Sequence, residues 1–166
     1  MKLSSGCVYR DYEYKRLGTV SLIAGIDLLT GQAIPVVGDT HKSSDFIRLL
    51  EKLDKMYPKG DIIRIICDNH SAHKSKEVQK YLLTKSEGIF VFVFTPTHGS
   101  WLNLIESFFS KMTKQMLKAI RVRSKQELAD RIYLYFDEVN ADPVVYHWTY
   151  KLDEISIGEA ESNTAI

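Results

Sequence analysis

Two short and almost uniformly apolar runs occupy the middle of the chain. The first covers residues 61–67, where isoleucines are interrupted by Arg64, and the second is IFVFVFT at 89–95. Runs this short and this apolar are typical of strands covered on both faces in an α/β sheet. The first run stops at Asp68, and reactive groups collect at the carboxyl ends of strands in such sheets. The alternative interpretation of Asp68-Asn69 is an ordinary turn after a strand.

Apolar spacing predicts the remaining elements. Residues 19–27 and 33–37 are interpreted as two strands of a hairpin with a turn at Gly31. Helical periodicity predicts four helices, which begin at Ser43 or Ser44, at about Ser75, after Trp101, and at the Ser124-x-x-Glu127 capping box. The alternation of strands and helices from residue 34 to residue 95 predicts a parallel element in a mixed sheet. The fold class is therefore α/β.

The predicted helix after Trp101 has an apolar face and a basic face. Glu106 lies at the border between them, where it is either a site carboxylate or a first-turn acid that complements the helix dipole. From residue 111 to residue 126 every charged residue is basic: Lys111, Lys114, Lys118, Arg121, Arg123 and Lys125. This stretch is suited to a phosphate backbone, and a solvated basic face is the alternative.

Composition indicates where the protein is located in the cell, but the overall charge does not indicate a binding partner. The 166 residues are enough for one domain, and 22 basic residues nearly balance 21 acidic ones. With no run of about 18 apolar residues and no signal-peptide pattern, we expect a cytoplasmic protein without a membrane partner.

The spacing of cysteine and histidine gives little support for a metal site. Cys67-x-x-His70-x-x-His73 has the spacing of metal ligands, but Cys67 lies in a predicted strand and no fourth ligand is near in sequence. Loop histidines that contact phosphate or cap the backbone are the favoured interpretation. The other cysteine, Cys7, completes no disulfide framework.

Several motifs resemble the DDE superfamily transposases, in the bacterial insertion-sequence branch related to the mariner elements. The resemblance covers about residues 9 to 155 and rests on YKRLGTVSLIAGIDLLTG, THKSSDFIRLL, IIRIICDNHSAHKSKEV, FTPTHGSWLNLIESFFSKM and the closing pattern of Asn140, Pro143 and Trp148. It implies a ribonuclease H-like mixed sheet flanked by helices. It also implies two Mg²⁺ ions, with Mn²⁺ as a substitute, and DNA transposition by cleavage of transposon ends and strand transfer into target DNA.

The same resemblance assigns roles to individual residues. Asp68 matches the second catalytic acid and Glu106 the third, with 37 residues between them. Both would be catalytic metal ligands, and Lys111, Lys114, Lys118, Arg121 and Arg123 would contact DNA. The supporting loop residues would be Asn69, His73, Trp101 and Asn103.

One part of the family pattern is not found in this chain. The first catalytic Asp is expected on a strand upstream of the motif at residues 14–19; Asp11 is too close to that motif, and Asp27 ends the next strand instead. We therefore expect residues 1–155 to form a partial catalytic domain without its first, central strand, followed by a polar tail at 156–166. Such a fragment is expected to be inactive alone and to form homo-oligomers or pair with a full-length transposase.

Two other interpretations remain open from the sequence. The first is a non-catalytic remnant that binds nucleic acid or pairs with an intact transposase. The second is an unrelated α/β domain. Asp27 remains a possible surrogate for the missing carboxylate, and an upstream segment is the other source.

Overall fold

The structure is a computed structural model that describes residues 17–68, 70–86, 88–94 and 103–145. Strands and helices alternate in these ranges, which confirms the predicted α/β class. In chain order they are β1 (Ser21–Ile26), β2 (Ala33–Gly38), α1 (Ser43–Met56), β3 (Ile63–Cys67), α2 (Lys76–Leu82), β4 (Phe90–Phe94), α3 (Asn103–Gln115) and α4 (Lys125–Ala141). Short 3₁₀ turns at Ser71–Lys74 and Leu117–Ala119 precede α2 and follow α3.

The four strands form two separate pairs. Strands β1 and β2 are an antiparallel hairpin with Ile26 beside Ala33, and β3 and β4 are parallel with Ile63 beside Phe90. The predicted hairpin and the predicted parallel element are both confirmed. A single mixed sheet is not formed by the described residues, because no backbone ladder joins the hairpin to the parallel pair.

Helix α1 joins the two pairs through side chains instead of backbone hydrogen bonds. Its apolar face, spaced at helical period, packs on β1 and β2, and Leu50 is completely buried. The same face reaches the parallel pair, where the ring of Phe46 lies 6.3 Å from that of Phe92. Val78 of α2, which is also buried, belongs to the same cluster. Burial of each such side chain stabilises the fold by about 1.5–3 kcal/mol.

Helices α3 and α4 cover the other face of the hairpin. The buried residues of this second cluster are Ala33, Val37, Phe108, Met112, Ile132, Tyr135 and Phe136. Apolar spacing predicts an inward face of α4, and its residues belong to this cluster or pack against it: Leu128, Ile132, Tyr135, Phe136 and Val139. Apolar spacing also predicts that the face of α3 continues to Ile120, but the helix ends at Gln115 and a 3₁₀ turn follows.

Asn140 closes the outer edge of β2. The Asp27 N–H donates to the Gln32 carbonyl, so Gln32 faces β1 and the next residue, Ala33, directs its N–H and C=O away from β1. The Ala33 N–H donates to Asn140 Oδ1 at 2.8 Å, and Asn140 Nδ2 donates to the Ala33 carbonyl at 2.8 Å. The side-chain amide therefore substitutes for a neighbouring strand, which gives a physical role to one residue of the closing motif.

The helix starts agree only in part with the sequence. The cap predicted at Ser43 or Ser44 is wrong, since Lys42 is the N-cap and the carboxylate of Asp45 accepts a hydrogen bond from the Lys42 N–H at 3.2 Å. At α4 the predicted Ser124 cap is confirmed by a 3.1 Å hydrogen bond from the Glu127 N–H to its hydroxyl. The Glu127 carboxylate completes the start by accepting from the N–H of Arg123, one residue earlier than a capping box requires.

Some sequence predictions concern other parts of the chain. Asn69, Trp101, the segment before residue 17 and the segment after residue 145 lie outside the described residues. None of the helices in the described ranges is long and apolar enough to cross a membrane.

Candidate functional site

Asp68 is the first residue after β3, at the carboxyl end of the parallel pair, and it is exposed. Its Oδ1 accepts a hydrogen bond from the His70 N–H at 3.1 Å. His73 Nδ1 lies 3.2 Å from the same Oδ1 and 3.2 Å from the Asp68 carbonyl oxygen. Because a carbonyl oxygen only accepts, Nδ1 carries the proton and donates to the carbonyl oxygen, with Oδ1 close beside it. Within the described ranges Oδ2 accepts no hydrogen bond, so one carboxylate oxygen remains available for a ligand.

His73 connects this carboxylate to the core. Its ring packs on the buried ring of Phe46 with centroids 4.3 Å apart, and its side chain is 16% exposed. Since Phe46 belongs to α1, the helix that packs on both strand pairs also fixes the loop after β3. Such a contact fixes the orientation of the carboxylate beside it. His73 is the residue of the expected supporting loop that the structure places against Asp68.

Cys67 and His70 lie on either side of Asp68. Burial raises the pKa of the Cys67 thiol to about 12, and the charge of Asp68 adds to the shift while Lys74 opposes it. The thiol is therefore protonated at neutral pH. His70 Nδ1 accepts the Ala72 N–H at 3.3 Å, which is the backbone cap that loop histidines were expected to provide. Among the residues that the structure describes, no three histidine, cysteine or acidic side chains form a metal-binding group.

Lys74 was not singled out in the sequence, yet it lies at the same edge. Its Nζ is 4.1 Å from the centroid of the Phe94 ring, and Phe94 is the residue of β4 that pairs with Cys67. The ammonium thus lies at the carboxyl ends of both parallel strands. The only signal in the sequence is its position directly after His73.

Glu106 lies in the first turn of α3, and its side chain is exposed. It makes no hydrogen bond or ion pair with any residue in the described ranges, and no shared contact joins it to Asp68. Helix α3 is held on the hairpin by Phe108 and Met112. The structure therefore brings Asp68, His70 and His73 into direct contact, whereas Glu106 is a free carboxylate on a different element.

Asp27, the possible surrogate ligand, is used in the hairpin turn. Its Oδ1 accepts the Leu29 N–H at 2.8 Å, and its Oδ2 accepts the Tyr57 hydroxyl at 2.8 Å. Burial alone raises the pKa of this carboxyl, but these hydrogen bonds and those from Thr30 outweigh it and lower the pKa overall. Both oxygens are engaged, so the arrangement favours a structural role.

The basic face predicted beyond Glu106 is exposed to solvent. Its five members are Lys111, Lys114, Lys118, Arg121 and Arg123, and none forms an ion pair with a residue in the part of the chain that the structure describes. Lys125, the sixth basic residue of the stretch, differs because it pairs with Asp39 at the end of β2. Five unneutralised cations are therefore available on one segment.

Comparison with known proteins gives the family. Residues 4–129 match the model of the DDE superfamily endonucleases, a range that contains Asp68, Glu106 and the five basic residues. The chain is also 27% identical over 123 residues to the insertion element IS630 uncharacterized 39 kDa protein of Shigella sonnei. That match covers 74% of this chain but 35% of the relative, so the chain spans about a third of its length. These matches confirm the resemblance to insertion-sequence transposases, and the chain belongs to the DDE superfamily endonucleases.

Proposed function

We propose that the chain is the catalytic part of an insertion-sequence transposase, which cleaves transposon-end phosphodiesters and transfers the strand into target DNA. The observation that carries this proposal is the family match across residues 4–129, which includes an exposed Asp68 at the carboxyl end of a parallel strand. Strand ends of this kind hold the reactive groups of open α/β sheets. Glu106 is the second carboxylate of the proposed site.

The donor chemistry of these residues fits Mg²⁺ or Mn²⁺. Asp68 Oδ2 and the carboxylate of Glu106 are hard oxygen donors that are exposed and accept no hydrogen bond from the described residues, whereas Cys67 remains a thiol. Divalent ions bound there would stabilise charge on a phosphate and activate water. Two carboxylates do not hold a pair of ions alone, so we propose that a third comes from outside the described ranges.

The remaining residues orient the carboxylate and bind the substrate. The His73 N–H would hold Asp68 Oδ1 so that Oδ2 points away from the loop. The five exposed cations of 111–123 would lie along the DNA backbone, where phosphate contacts fix the position of the duplex without reading its sequence. DNA at transposon ends and at the target is therefore the proposed substrate.

We also propose that a further strand completes a ribonuclease H-like sheet. Strands β1 and β3 each lack a neighbour on one side in the described ranges, and every residue of β1 is half-buried although the strand is largely apolar. A strand between them would pair both edges and bury this surface. It would also supply the third carboxylate, so that a chain without this strand would neither cleave nor join DNA.

Binding of Mn²⁺ to the purified chain tests the site. Titration calorimetry should show weak binding by the wild type that is reduced at least about tenfold by Asp68→Asn and by Glu106→Gln, since each removes a charged ligand. Glu138→Gln, an exposed acid on α4, is the matched control and should leave the affinity unchanged. Equal affinity in all four proteins would refute the assignment of Asp68 and Glu106.

A nicking assay tests the catalytic part of the proposal. An added upstream segment of some tens of residues, with an apolar strand and an Asp-Glu pair, should both permit metal-dependent nicking and raise the melting temperature. Robust cleavage by residues 1–166 alone, abolished by Asp27→Asn, would show that the first carboxylate is misplaced.

A second candidate function is a remnant that binds nucleic acid or pairs with an intact transposase. It is favoured by the five exposed cations and by the lack of a three-residue metal group among the described residues. Salt-dependent DNA binding without any metal-dependent nicking, even with the upstream segment added, would support it.

A further inference from the structure

A second donor-rich surface lies beside the loop that follows Asp68. It is an open groove of about 530 Å³ between the loop before α1 and the loop after β3. We call it the His41 groove and define it by His41, Lys42, Ser43, His70, Ser71 and Lys76. None of these residues belongs to the basic segment 111–123.

The two loops are held together by their histidines. The rings of His41 and His70 meet edge to face, with centroids 5.7 Å apart and planes at 77°. His41 Nδ1 lies 3.3 Å from the hydroxyl of Ser21 in β1, and His70 is connected to Asp68 through its backbone N–H. The groove walls are therefore anchored to β1 on one side and to the proposed metal ligand on the other.

The groove presents hydrogen-bond donors and positive charge. The ammonium groups of Lys42 and Lys76 are exposed and form no ion pair with any described residue. Because His70 Nδ1 accepts the Ala72 N–H, the proton of the neutral ring is on Nε2, which is left as a donor. Glu77 is the single acid that lines the groove.

This combination is complementary to a phosphate group. Phosphate oxygens only accept hydrogen bonds, and charge-assisted bonds from ammonium groups are the strongest that these side chains offer. The donors are the ammonium groups of Lys42 and Lys76, the hydroxyls of Ser43 and Ser71, and the His70 N–H. They outnumber the single carboxylate, which belongs to Glu77. An apolar or cationic ligand would not use these donors or their positive charge.

We propose that the His41 groove binds a backbone phosphate of the DNA strand that flanks the reacting phosphodiester at Asp68. The inference rests on the proposed function, which places a DNA strand at Asp68, and His70 both contacts Asp68 and lines the groove. It adds a second backbone contact to the one proposed for residues 111–123.

Binding of a labelled DNA duplex in EDTA tests the groove without involving metal chemistry. The variant Lys42→Gln/Lys76→Gln should bind about tenfold more weakly than the wild type, as expected for losing charge-assisted hydrogen bonds. The slope of log affinity against log salt should fall by about 0.9, the contribution of one lost phosphate contact. Glu77→Gln should raise the DNA affinity, because it removes the negative charge of the one acid among the described residues that line the groove.

The matched control removes the same charge from the other end of α1. Lys55→Gln/Lys59→Gln changes two exposed lysines near the end of that helix and should leave affinity and salt slope unchanged. Equal losses in the two double variants would show a general charge effect and overturn the groove. Thermal melting of each variant identifies any loss that comes from unfolding.

Three further results distinguish the groove from its alternatives. Loss of DNA affinity in a Lys114→Gln/Lys118→Gln variant but not in the groove variant would overturn the groove and leave the proposed function intact. Binding of inorganic phosphate that depends on Lys42 and Lys76, in a protein that does not bind DNA, would assign the groove to free phosphate and overturn the proposal. Normal groove-dependent DNA binding, with Mn²⁺ affinity insensitive to Asp68→Asn, would support the groove and refute the metal site.

Discussion

Replacement of Asn140 by Ala removes both hydrogen bonds at the outer edge of β2. Ala33 is 2% exposed, so its N–H and C=O lose their partners in a place that water reaches poorly. Each buried polar group left without a partner costs about 1–3 kcal/mol. Allowing for some relaxation around the smaller side chain, we expect Asn140→Ala to lower the free energy of unfolding by about 2–4 kcal/mol. In a chain of this length that corresponds to a fall of about 5–15 °C in Tm.

Thermal and urea unfolding followed by circular dichroism measure this loss. Glu138→Gln, two residues earlier on the exposed side of α4, is the control and should stay within about 0.5 kcal/mol of the wild type. An Asn140→Ala protein that melts within about 1 °C of the wild type would refute the reasoning. It would mean that the edge of β2 finds another partner or is open to water.

Three further predictions concern the scaffold of the site. Tyr57→Phe removes a hydrogen bond that helps lower the pKa of Asp27. A lowered carboxyl pKa stabilises the folded state at pH values above the ordinary pKa of the group, and this stability is lost as the pH falls through the folded-state pKa. Urea unfolding between pH 6 and pH 3 should therefore show a shallower loss of stability on acidification in Tyr57→Phe than in the wild type. Leu50→Ala should cost about 2–5 kcal/mol in urea unfolding, because Leu50 is completely buried where α1 packs; a loss below about 1 kcal/mol would contradict that packing. Gly31→Ala should cost at least about 2 kcal/mol, since Gly31 has φ +76° and a Cβ there would collide with the Val144 carbonyl. A melting temperature equal to the wild-type value would show that the turn adapts.

The elements of the fold were predictable wherever local pattern decides them. Uniform apolar runs predicted β3 and β4, and their alternation with helices predicted their parallel pairing. The start of α1 was not predictable from local preference, because Asp45 is held by Lys42, Thr40 and Arg48 together. Serine is a common N-cap, but here Lys42 is the N-cap, and the buried carboxylate of Asp45, three residues after it, accepts its N–H.

The candidate site was predictable in position but not in its connections. The end of an apolar run located Asp68, yet the contact of His73 with that carboxylate depends on how the loop folds over Phe46 of α1. The pairing of Lys125 with Asp39 likewise joins residues far apart in sequence, and it separates Lys125 from the five free cations. Periodicity reports which face a side chain occupies and gives no information about partners on distant segments.

The bond between Ala33 and Asn140 has a consequence for how the protein is made. Its partners are 107 positions apart, so β2 leaves the ribosome long before the helix that completes its edge. At about 5–20 residues per second, the nascent hairpin keeps an open edge and an uncovered apolar face for about 5–20 s. During that interval a chaperone can bind the exposed hairpin, or its open edge can pair wrongly with a neighbouring nascent chain. Slower translation of the segment before α4 is therefore expected to lower the yield of folded protein.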